Sequence, residues 1–388
     1  MSWRRTDPVS ERARFVKLWA EGHSISGLCR DFGVSRKTGH KWLKRYRERG
    51  EEGLEDLDRA PHDPQRIASE IEEVIVWARE SHPTWGPRKL LAWLRRKKGP
   101  EGWPAASTVG EILRRKGLAQ GRRRRPFGAG ARHPGTVGSR ANRVWTGDYK
   151  GQFRTGDGEM CYPLTVKDVF TRYFLECSAL TGTSVAEARP VFERVFREFG
   201  LPDVFRSDNG APFASSGLTK LTALSVWWIR LGIRPETTRR RHPEDNGSHE
   251  QTHRILKAQT ARPPAWDRSE QQRRFDEFRL EYNEERPHEG IGNRCPEELY
   301  QPSPRRYPEY LPEPDYPGHY EVRQVQTSGQ ISWKGKMIFI SEALAQQRVG
   351  LTEIEEGTWR VYFGMVEVGV MDEKLANRRD KVLPMFPV

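Results

Sequence analysis

The spacing of apolar residues changes near residue 141, and this change restricts the chain to a multidomain fold. Before it, apolar residues recur every three to four positions in short segments, such as ERARFVKLWAEG at residues 11–22, which predicts helices. After it, segments rich in Val, Tyr and Phe follow one another at short intervals, which predicts strands. A length of 388 residues is typical of two to four domains. All-α modules therefore precede at least one domain built on a sheet.

Residues 1–50 contain a predicted helix-turn-helix. The segment 11–48 predicts three short helices, with Gly33 breaking the second and Ser35 placed to cap the third. In DNA-binding domains of this kind, the start of the last helix meets base edges and phosphates. The residues expected to contact DNA there are Arg36, Lys37, Thr38, His40 and Lys41. An ordinary three-helix bundle with a solvated polar face is the alternative that the pattern leaves open.

A second helical unit follows a predicted linker at residues 51–66, which has two prolines and no apolar period. Residues 67–120 predict three further helices, the last capped by Ser107 or Thr108, and hence a second helix-turn-helix. Residues 121–140 are rich in Gly and Arg and predict an extended basic linker that follows a phosphate backbone. The residues of this linker expected to bind DNA are Arg122, Arg123, Arg124 and Arg125. A nuclear-localisation-like signal is the competing interpretation of this basic run.

Positive charge is concentrated in these helical modules. Residues 1–140 hold 31 lysines and arginines against 17 acidic residues, whereas residues 141–388 hold 35 against 36. A basic surface attracts polyanions, because each neutralised phosphate releases condensed counterions. The distribution predicts nucleic-acid binding by the first third of the chain, with a merely soluble basic domain as the alternative.

Several classes of protein do not fit the sequence. The four cysteines form no CxxC pair and no close cluster with histidine, so neither a disulfide framework nor a zinc site is expected. No apolar run approaches the ~18 residues needed to span a bilayer, and the N-terminus lacks the apolar segment of a secretory signal. We therefore expect a cytoplasmic protein with no membrane partner and no organic cofactor.

Residues 141–300 predict an α/β domain with a mixed five-stranded sheet. Three β-rich runs come first, in RVWTGDYKGQF, YPLTVKDVF and RYFLECSAL, close enough to form an antiparallel trio. Two shorter strands, in DVFRSDNG and IRPETT, then alternate with helices, which predicts parallel pairing. The order β-β-β-α-β-α-β-α is that of the ribonuclease-H-like fold.

The remaining residues predict a separate all-β domain. Residues 301–318 are rich in proline and are expected to form a linker. Residues 319–371 alternate between apolar and polar side chains, with turn signals at Ser328-Gly329, Lys334-Gly335 and Glu356-Gly357, and the domain with its tail is expected to cover residues 319–388. This pattern predicts a small five-stranded antiparallel barrel with a tail.

Three carboxylates lie where the predicted α/β domain brings them together. Asp148 is on the first strand, Asp208 at the end of the fourth, and Glu250 near the start of the helix that packs over them. Mg²⁺ prefers such hard oxygen ligands. Two ions about 3.5–4 Å apart activate the nucleophile and stabilise the leaving oxygen in phosphoryl transfer, with no covalent protein intermediate. The sequence therefore predicts a site for two Mg²⁺ ions, with Mn²⁺ able to substitute.

The segments around these carboxylates resemble the integrase core of bacterial insertion-sequence transposases. The similarity lies in VWTGD, FRSDNGAPF and HPEDNGSHEQTHRILK, continues in YNEERPHEGIG and PEELY, and spans about residues 11–310. It implies a retroviral-integrase-like core in which Asp148, Asp208 and Glu250 form a DDE triad. It also implies a transposase that binds the terminal inverted repeats of its element, frees a 3′-OH by hydrolysis and transfers it to target DNA. Such a protein is expected to act as a homodimer or higher oligomer on double-stranded DNA, in the nucleoid of a bacterial cytoplasm.

One spacing departs from the pattern of that group. Between Asp208 and Glu250 lie 41 residues, whereas about 35 is common, and Glu244 would satisfy the shorter count. Glu250 is favoured because it follows an Asn-Gly turn and begins the helix that ends in Leu256-Lys257.

Further residues near the triad are expected to meet DNA. Lys257 lies about two helical turns after Glu250, so both can face the same side. The other basic candidates are Arg239, Arg240, Arg241, His253 and Arg254. Asp168 could be a fourth metal ligand, although a turn or an ion pair is the favoured interpretation. A packing and DNA-facing motif without a catalytic role is expected at Tyr282, Asn283, Arg286 and His288.

Two other functions remain open at this stage. A catalytically inactive DNA-binding regulator would keep the helix-turn-helix modules, but it would have no reason to retain all three carboxylates. A ribonuclease acting on RNA–DNA hybrids would not need two sequence-reading modules. Both alternatives are therefore less favoured than a transposase.

Overall fold

The computed structural model describes residues 7–56, 67–119, 135–149, 151–239, 247–375, 382–383 and 385–386. The chain divides into two compact units, Met1–Ile67 and Ala68–Val388. Some predicted residues lie outside the described ranges: Arg122, Arg123, Arg124, Arg125, Arg240, Arg241 and Glu244. No helix in the described ranges is long and apolar enough to cross a membrane.

The first unit is a three-helix domain that contains the predicted helix-turn-helix. Its helices are α1 (Pro8–Ala20), α2 (Ile25–Asp31) and α3 (Arg36–Arg49), followed by a 3₁₀ turn at Gly50–Leu54. Ser35 Oγ accepts from the Thr38 amide at 3.1 Å, which is the expected N-cap. Phe15, Trp42 and Leu54 lie in the core of this unit. The helix-turn-helix is therefore confirmed.

The second unit begins with three more helices. They are α4 (Ser69–Ser81), α5 (Pro87–Lys98) and α6 (Ala106–Arg115). Trp85, Leu90 and Ile112 are buried between them. Helix α6 begins earlier than the sequence suggested, with Ala105 at the N-cap and no side-chain cap, so the predicted cap at Ser107 or Thr108 is wrong.

A mixed sheet follows, as predicted. Its strands are β1 (Val144–Tyr149), β2 (Phe153–Arg154), β3 (Met160–Asp168), β4 (Phe174–Leu180), β5 (Val204–Ser207) and β6 (Arg234–Thr237). Strand β3 pairs antiparallel with β1, β2 and β4, whereas β5 lies parallel to β1 on one side and to β6 on the other. The described sheet has six strands and not the predicted five, because β2 is a separate two-residue strand that was predicted as part of one run with β1.

Helices cover both faces of this sheet. They are α7 (Val185–Phe199), α8 (Ala223–Arg230), α9 (Gly247–Thr260) and α10 (Arg268–Leu280). The core under α7 and α8 contains Trp145, Phe192, Phe205 and Trp228, all fully buried. A smaller core under α9 and α10 forms around Phe275 and other apolar side chains. Each large apolar side chain buried here contributes about 1.5–3 kcal/mol.

The C-terminal strands form two sheets rather than the predicted five-stranded barrel. They are β7 (Glu321–Gln324), β8 (Gln330–Trp333), β9 (Lys336–Phe339), β10 (Arg348–Glu355), β11 (Thr358–Phe363), β12 (Val366–Asp372), β13 (Val382–Leu383) and β14 (Met385–Phe386). The first sheet has the order β14-β12-β11-β10-β7, and the second β13-β9-β8. Residues Glu342–Leu344 turn through a 3₁₀ helix, so that β9 pairs with β13 and not with β10. Neither sheet closes within the described residues, and the barrel is not confirmed.

Residues 301–318 contain no helix or strand but are packed against the α/β domain. Arg305 donates to the carbonyl oxygens of Leu231 and Gly232 at 3.0 and 2.8 Å, just beyond the end of α8. Its own carbonyl oxygen accepts from the Leu201 amide at 2.8 Å. This segment therefore fixes the approach of the C-terminal sheets to α8.

Candidate active site

Asp148 and Asp208 lie at neighbouring strand ends. Strands β1 and β5 are parallel, and their last paired residues are Thr146 and Arg206. Asp148 lies two residues further along β1, on the same face as Thr146, since side chains alternate with a period of two, and Asp208 is the first residue after the end of β5. Adjacent strands are about 4.8 Å apart. The topology thus brings the two carboxylates to one edge of the sheet.

A threonine on β3 holds α9 against this edge. Thr165 faces Asp148 across the β1–β3 pair and donates from Oγ1 to the Asp148 carbonyl oxygen at 2.9 Å. Thr165 Oγ1 also lies 2.6 Å from His249 Nε2 and 2.8 Å from His253 Nε2, both on α9. Tautomers with the proton on each Nε2 satisfy these contacts. One buried hydroxyl therefore joins β1, β3 and two successive turns of α9.

His249 adds a second link. Its Nδ1 is hydrogen-bonded to Thr146 Oγ1 on β1. Burial lowers the pKa of His249 well below its usual value, so the ring is neutral. The neutral ring connects β1 to β3 and fixes the rotation of α9, on which Glu250 is the next residue.

Glu250 lies in the first turn of α9 and is exposed. It lines an open cavity of about 370 Å³ that also contains His253, Arg254 and Lys257. His253 Nδ1 lies 3.7 Å from Asp148 Oδ2, which places this cavity beside β1. The expectation that Glu250 and Lys257 share one side of α9 agrees with this lining.

Asp208 is exposed, in a short turn after β5. Its Oδ1 accepts from the Gly210 amide at 3.2 Å, and Asn209 Nδ2 donates to the Thr238 carbonyl oxygen at 2.5 Å. Within the part of the chain that the structure describes, no group of three or more His, Cys, Asp or Glu side chains is close enough together to hold a metal ion. The structure thus brings Asp148 and Asp208 to one edge and Glu250 to the helix above, without joining the three carboxylates at ligand distance.

Asp168 has a different environment. It is fully buried, and its carboxylate accepts from the Asn142 amide at 2.8 Å and from the Thr171 amide at 2.7 Å. The Thr171 hydroxyl donates to it as well, at 2.6 Å. These bonds close the turn after β3, so the carboxylate supports the fold, in line with the favoured interpretation.

Family models match most of the described chain. Two models of a homeodomain-like domain match residues 6–55 and 38–113, and two models of an integrase core domain match residues 138–243 and 231–296. The model of the C-terminal domain of IS481 family transposases matches residues 320–379. The chain is an insertion-sequence transposase with an integrase-like core.

Curated relatives of this transposase carry the same description. Transposase InsD for insertion element IS2A/D/F/H/I/K of Escherichia coli is 28% identical over 293 residues, which cover 72% of this chain and 92% of the relative. Transposase InsD for insertion element IS2-9 of Escherichia coli strain K12 is also 28% identical, over 72% of this chain and 90% of its own.

Solved structures with a lower likeness include two viral integrases. The HTLV-2 integrase catalytic core domain in complex with magnesium has a TM-score of 0.34 at 15% identity, covering 42% of this chain and 100% of its own. The intasome of simian T-cell lymphotropic virus in complex with a PP2A regulatory subunit has a TM-score of 0.38 at 17% identity, covering 76% of this chain and 97% of its own. Both TM-scores lie below 0.5, too low to support an argument about this transposase.

The transposase is thus a polynucleotidyl transferase of the DDE type, and integrase-like cores of this kind depend on divalent metal ions. Its helix-turn-helix and integrase modules make DNA its partner. The polar residues expected at the start of α3 lie on the surface of that helix, and Arg36, Lys37, His40 and Lys41 are exposed. On the opposite side of α3, Trp42 and Leu43 are buried.

Sequence reasoning missed the residues that hold α9 in place. They are Thr146, Thr165 and His249 of the transposase. A signal for them exists in the sequence, because Thr146 shares the strand face of Asp148, and His249 and His253 are one helical turn apart on the helix of Glu250. Thr165 carries no such signal, since its position opposite Asp148 depends on the register of β3.

Proposed function

We propose that this transposase binds the terminal inverted repeats of its element, hydrolyses a phosphodiester to free a 3′-OH, and transfers that 3′-OH to target DNA. The observation that supports it is the placement of Asp148 near the end of β1 and of Asp208 just after the end of the parallel strand β5, with the helix of Glu250 held against this edge by Thr165. In open α/β sheets, ligand-binding and active sites usually lie at the carboxyl ends of the strands, where these two carboxylates are.

The three carboxylates are proposed as the ligands of two Mg²⁺ ions, for which Mn²⁺ can substitute. The donor set fits, because hard divalent cations take carboxylate oxygens and keep positions open for water and phosphate. Bound there, the ions supply an activated nucleophile and stabilise the leaving oxygen. Thr165 and His249 act by positioning, since they fix the helix that carries Glu250.

The remaining modules are proposed to bind and orient DNA. Residues 1–50 and 67–120 would recognise the terminal repeats, residues 141–300 would carry the chemistry, and residues 319–388 would follow as a β domain. Contacts to the DNA backbone are proposed for the starts of α3 and α9 and for three basic runs. The residues in those runs are Arg122, Arg123, Arg124, Arg125, Arg239, Arg240, Arg241, His253, Arg254 and Lys257. Joining two ends requires at least a homodimer on DNA, in the cytoplasm and nucleoid of a bacterium.

Strand transfer in vitro tests the proposal. Duplexes with the element's own ends are incubated with Mg²⁺ and the wild-type protein, Glu250→Gln or Glu244→Gln. We expect wild type and Glu244→Gln to join ends to target DNA, and Glu250→Gln to bind the ends without cutting them. Loss of activity in Glu244→Gln alone would move the third ligand to Glu244. A wild-type protein that binds the ends and never cuts, with Mg²⁺ or Mn²⁺, would contradict the catalytic function and leave the inactive regulator.

A further inference from the structure

A cavity of about 280 Å³ lies where α5, β3 and α9 meet the segment that follows α10. Three basic side chains line it, Lys89 on α5, Lys167 on β3 and Arg172 just after β3, together with His288. The volume is about nine times the share that a water molecule takes in the liquid. We call this space the cationic cavity.

The floor of the cationic cavity is polar and almost fully buried. Lys167, Thr252 and Tyr282 are each no more than 3% exposed. Lys167 Nζ donates to Thr252 Oγ1 at 2.8 Å, and the Tyr282 hydroxyl lies 3.1 Å from the same Oγ1. Burial lowers the pKa of Lys167, because the charged form has lost its water. An anion in the cavity would oppose this cost directly.

Two buried nitrogen atoms beside the floor have no hydrogen-bond partner among the described residues. They are His288 Nε2 and Arg286 Nε, and Arg286 is only 2% exposed. The His288 ring packs against Tyr282 with 4.6 Å between centroids. Unsatisfied buried polar atoms are rare in folded proteins, and an ion or ligand is one of the few physical reasons for them. Of the two, His288 lines the cavity, and its Nε2 is a second, independent observation for a ligand there.

The mouth of the cavity is also positively charged. Burial first, and then repulsion from Arg286, lower the pKa of Lys89 to about 8. Among the described lining residues, Glu289 is the one carboxylate, and it is exposed with its Oε2 3.7 Å from Arg88 Nη1. Glu289 attracts Lys89 and partly opposes the lowering of its pKa, but it also lies beside Arg88, so one exposed carboxylate does not balance the several cationic groups of the cavity.

We propose that the cationic cavity binds a phosphate group. Phosphate offers only acceptor oxygens and up to two negative charges, and the cavity offers ammonium, guanidinium and hydroxyl donors from several directions. A divalent cation would be repelled by the lysines, and a neutral ligand would not offset the cost of burying their charge. The phosphate belongs either to the backbone of bound DNA or to a free phosphorylated compound.

The cavity borders α9, the helix that carries Glu250. Gln251, which lines the cavity, directly follows Glu250 on α9. This inference deepens the proposed function where DNA supplies the phosphate, but it depends on binding alone and not on catalysis. Binding is therefore measured with EDTA present, so that a failure here leaves the strand-transfer result untouched.

The first arm uses inorganic phosphate and the full chain. Binding is followed by calorimetry against a sodium chloride control of equal ionic strength, for wild type, Lys89→Met, Arg172→Met and Arg197→Met. Arg197→Met removes the same charge from the exposed face of α7 and is the matched control. We expect saturable binding by wild type and the control, and binding about ten-fold weaker or more in the two cavity variants. Equal melting temperatures establish that all variants fold.

The second arm uses a duplex of the element's end and the dependence of its affinity on salt. Each phosphate neutralised contributes about 0.9 to the slope of log affinity against log salt concentration. If one backbone phosphate occupies the cavity, the double variant Lys89→Met/Arg172→Met reduces the slope by up to about 0.9, and each single variant reduces it by no more than the double variant does, because both side chains serve the same phosphate. Arg197→Met keeps the wild-type slope.

The two arms separate the possible sources. A reduced slope in the cavity variants assigns the site to the DNA backbone, and weakened phosphate binding with unchanged slopes assigns it to a free phosphorylated compound. No saturable phosphate binding by wild type, together with unchanged slopes, would overturn the proposal.

Discussion

At the scale of single residues, the contact between α9 and the sheet edge of Asp148 depends on one hydroxyl group. Thr165 is fully buried and bonds a strand carbonyl and two histidines of α9. No other side chain type of its size offers both a donor and two acceptor positions, so the position of Glu250 is linked to this oxygen.

Thr165→Val tests this link. Valine keeps the shape but leaves His249 and His253 without their shared partner, at a cost of about 1–3 kcal/mol. We expect a lower melting temperature and a lower rate of strand transfer, with end binding retained. Thr352→Val, on a C-terminal strand, is the control and should change neither. A variant as active as wild type would show that α9 is held in place by other contacts.

Gly147, between Thr146 and Asp148, tests the packing under the active-site strand. A Cβ added there would stand only 2.4 Å from Phe205 Cζ, in the core beneath the sheet. Overpacking of this kind costs about 1–3 kcal/mol and displaces the strand. We expect Gly147→Ala to lower the melting temperature and the strand-transfer rate, whereas Gly151→Ala, with nothing within 4 Å, should do neither. Equal melting temperatures for the two variants would contradict this account.

Lys89 should give the stability of the protein a specific pH dependence. Its pKa is lowered in the folded state to about 8, from an ordinary 10.5, so the unfolded chain binds more protons between those values. The melting temperature of wild type should therefore gain from a rise in pH through this window, relative to Lys89→Met, which lacks the group. Below pH 8 the difference between the two proteins should be constant. Parallel curves from pH 7 to 10.5 would mean that Lys89 keeps its ordinary pKa.

At the scale of elements, α8 is buried along its middle, from Leu224 to Ile229. Trp227 and Trp228 pack into the core of the α/β domain, and Val226 and Ile229 pack into the core of the C-terminal sheets. The two cores therefore share one short helix. This explains why eight residues of largely apolar sequence form a stable helix without a polar face.

Ile229→Ala tests whether the two cores are coupled through α8. Removing a buried isoleucine side chain costs about 2–5 kcal/mol. Because Ile229 contacts the C-terminal core from a helix of the other domain, we expect hydrogen exchange to rise in both β11 and the sheet around β5. Leu218→Ala, at a position 37% exposed, should leave exchange unchanged. A rise confined to the C-terminal strands would show that the two cores open separately.

The order of elements in the α/β domain could be predicted from the sequence, and their tertiary pairing only in part. The short turns between the first three β-rich runs predicted their antiparallel pairing. The helices between the later strands predicted parallel pairing. The barrel failed because alternation identifies strands but does not say which edges pair, and the turn at Glu342–Leu344 redirects the chain after β9. Asp148 and Asp208 were predicted from their motifs, and the structure brings them to one edge of the sheet. Thr165 was not, because its place opposite Asp148 is a matter of register.

At the scale of the whole molecule, two compact units predict two independent responses to mutation. In the first unit, Arg12 is 5% exposed, donates to the Leu54 carbonyl oxygen at 2.7 Å and lies 3.8 Å from the Trp42 ring centroid. These contacts connect α1 to α3 and to the 3₁₀ turn that follows it.

Arg12→Met should loosen the first unit alone. It leaves a buried carbonyl oxygen unsatisfied, at a cost of about 1–3 kcal/mol. We expect faster hydrogen exchange across residues 8–54 and wild-type exchange from residue 69 onwards, with strand transfer reduced only through weaker end binding. Arg14→Met, on the exposed side of α1, is the control. Faster exchange in the second unit as well would show that the two units unfold together.

Helix α8 also sets where hybrid proteins can be joined. A chimera that exchanges the C-terminal sheets at the proline-rich segment would set foreign side chains against Leu221, Val226 and Ile229, which were fitted to the original strands. The exchangeable piece is therefore discontinuous: the C-terminal sheets together with one face of a helix a hundred residues earlier. Among natural relatives, recombination that preserves function is expected to carry both pieces or neither.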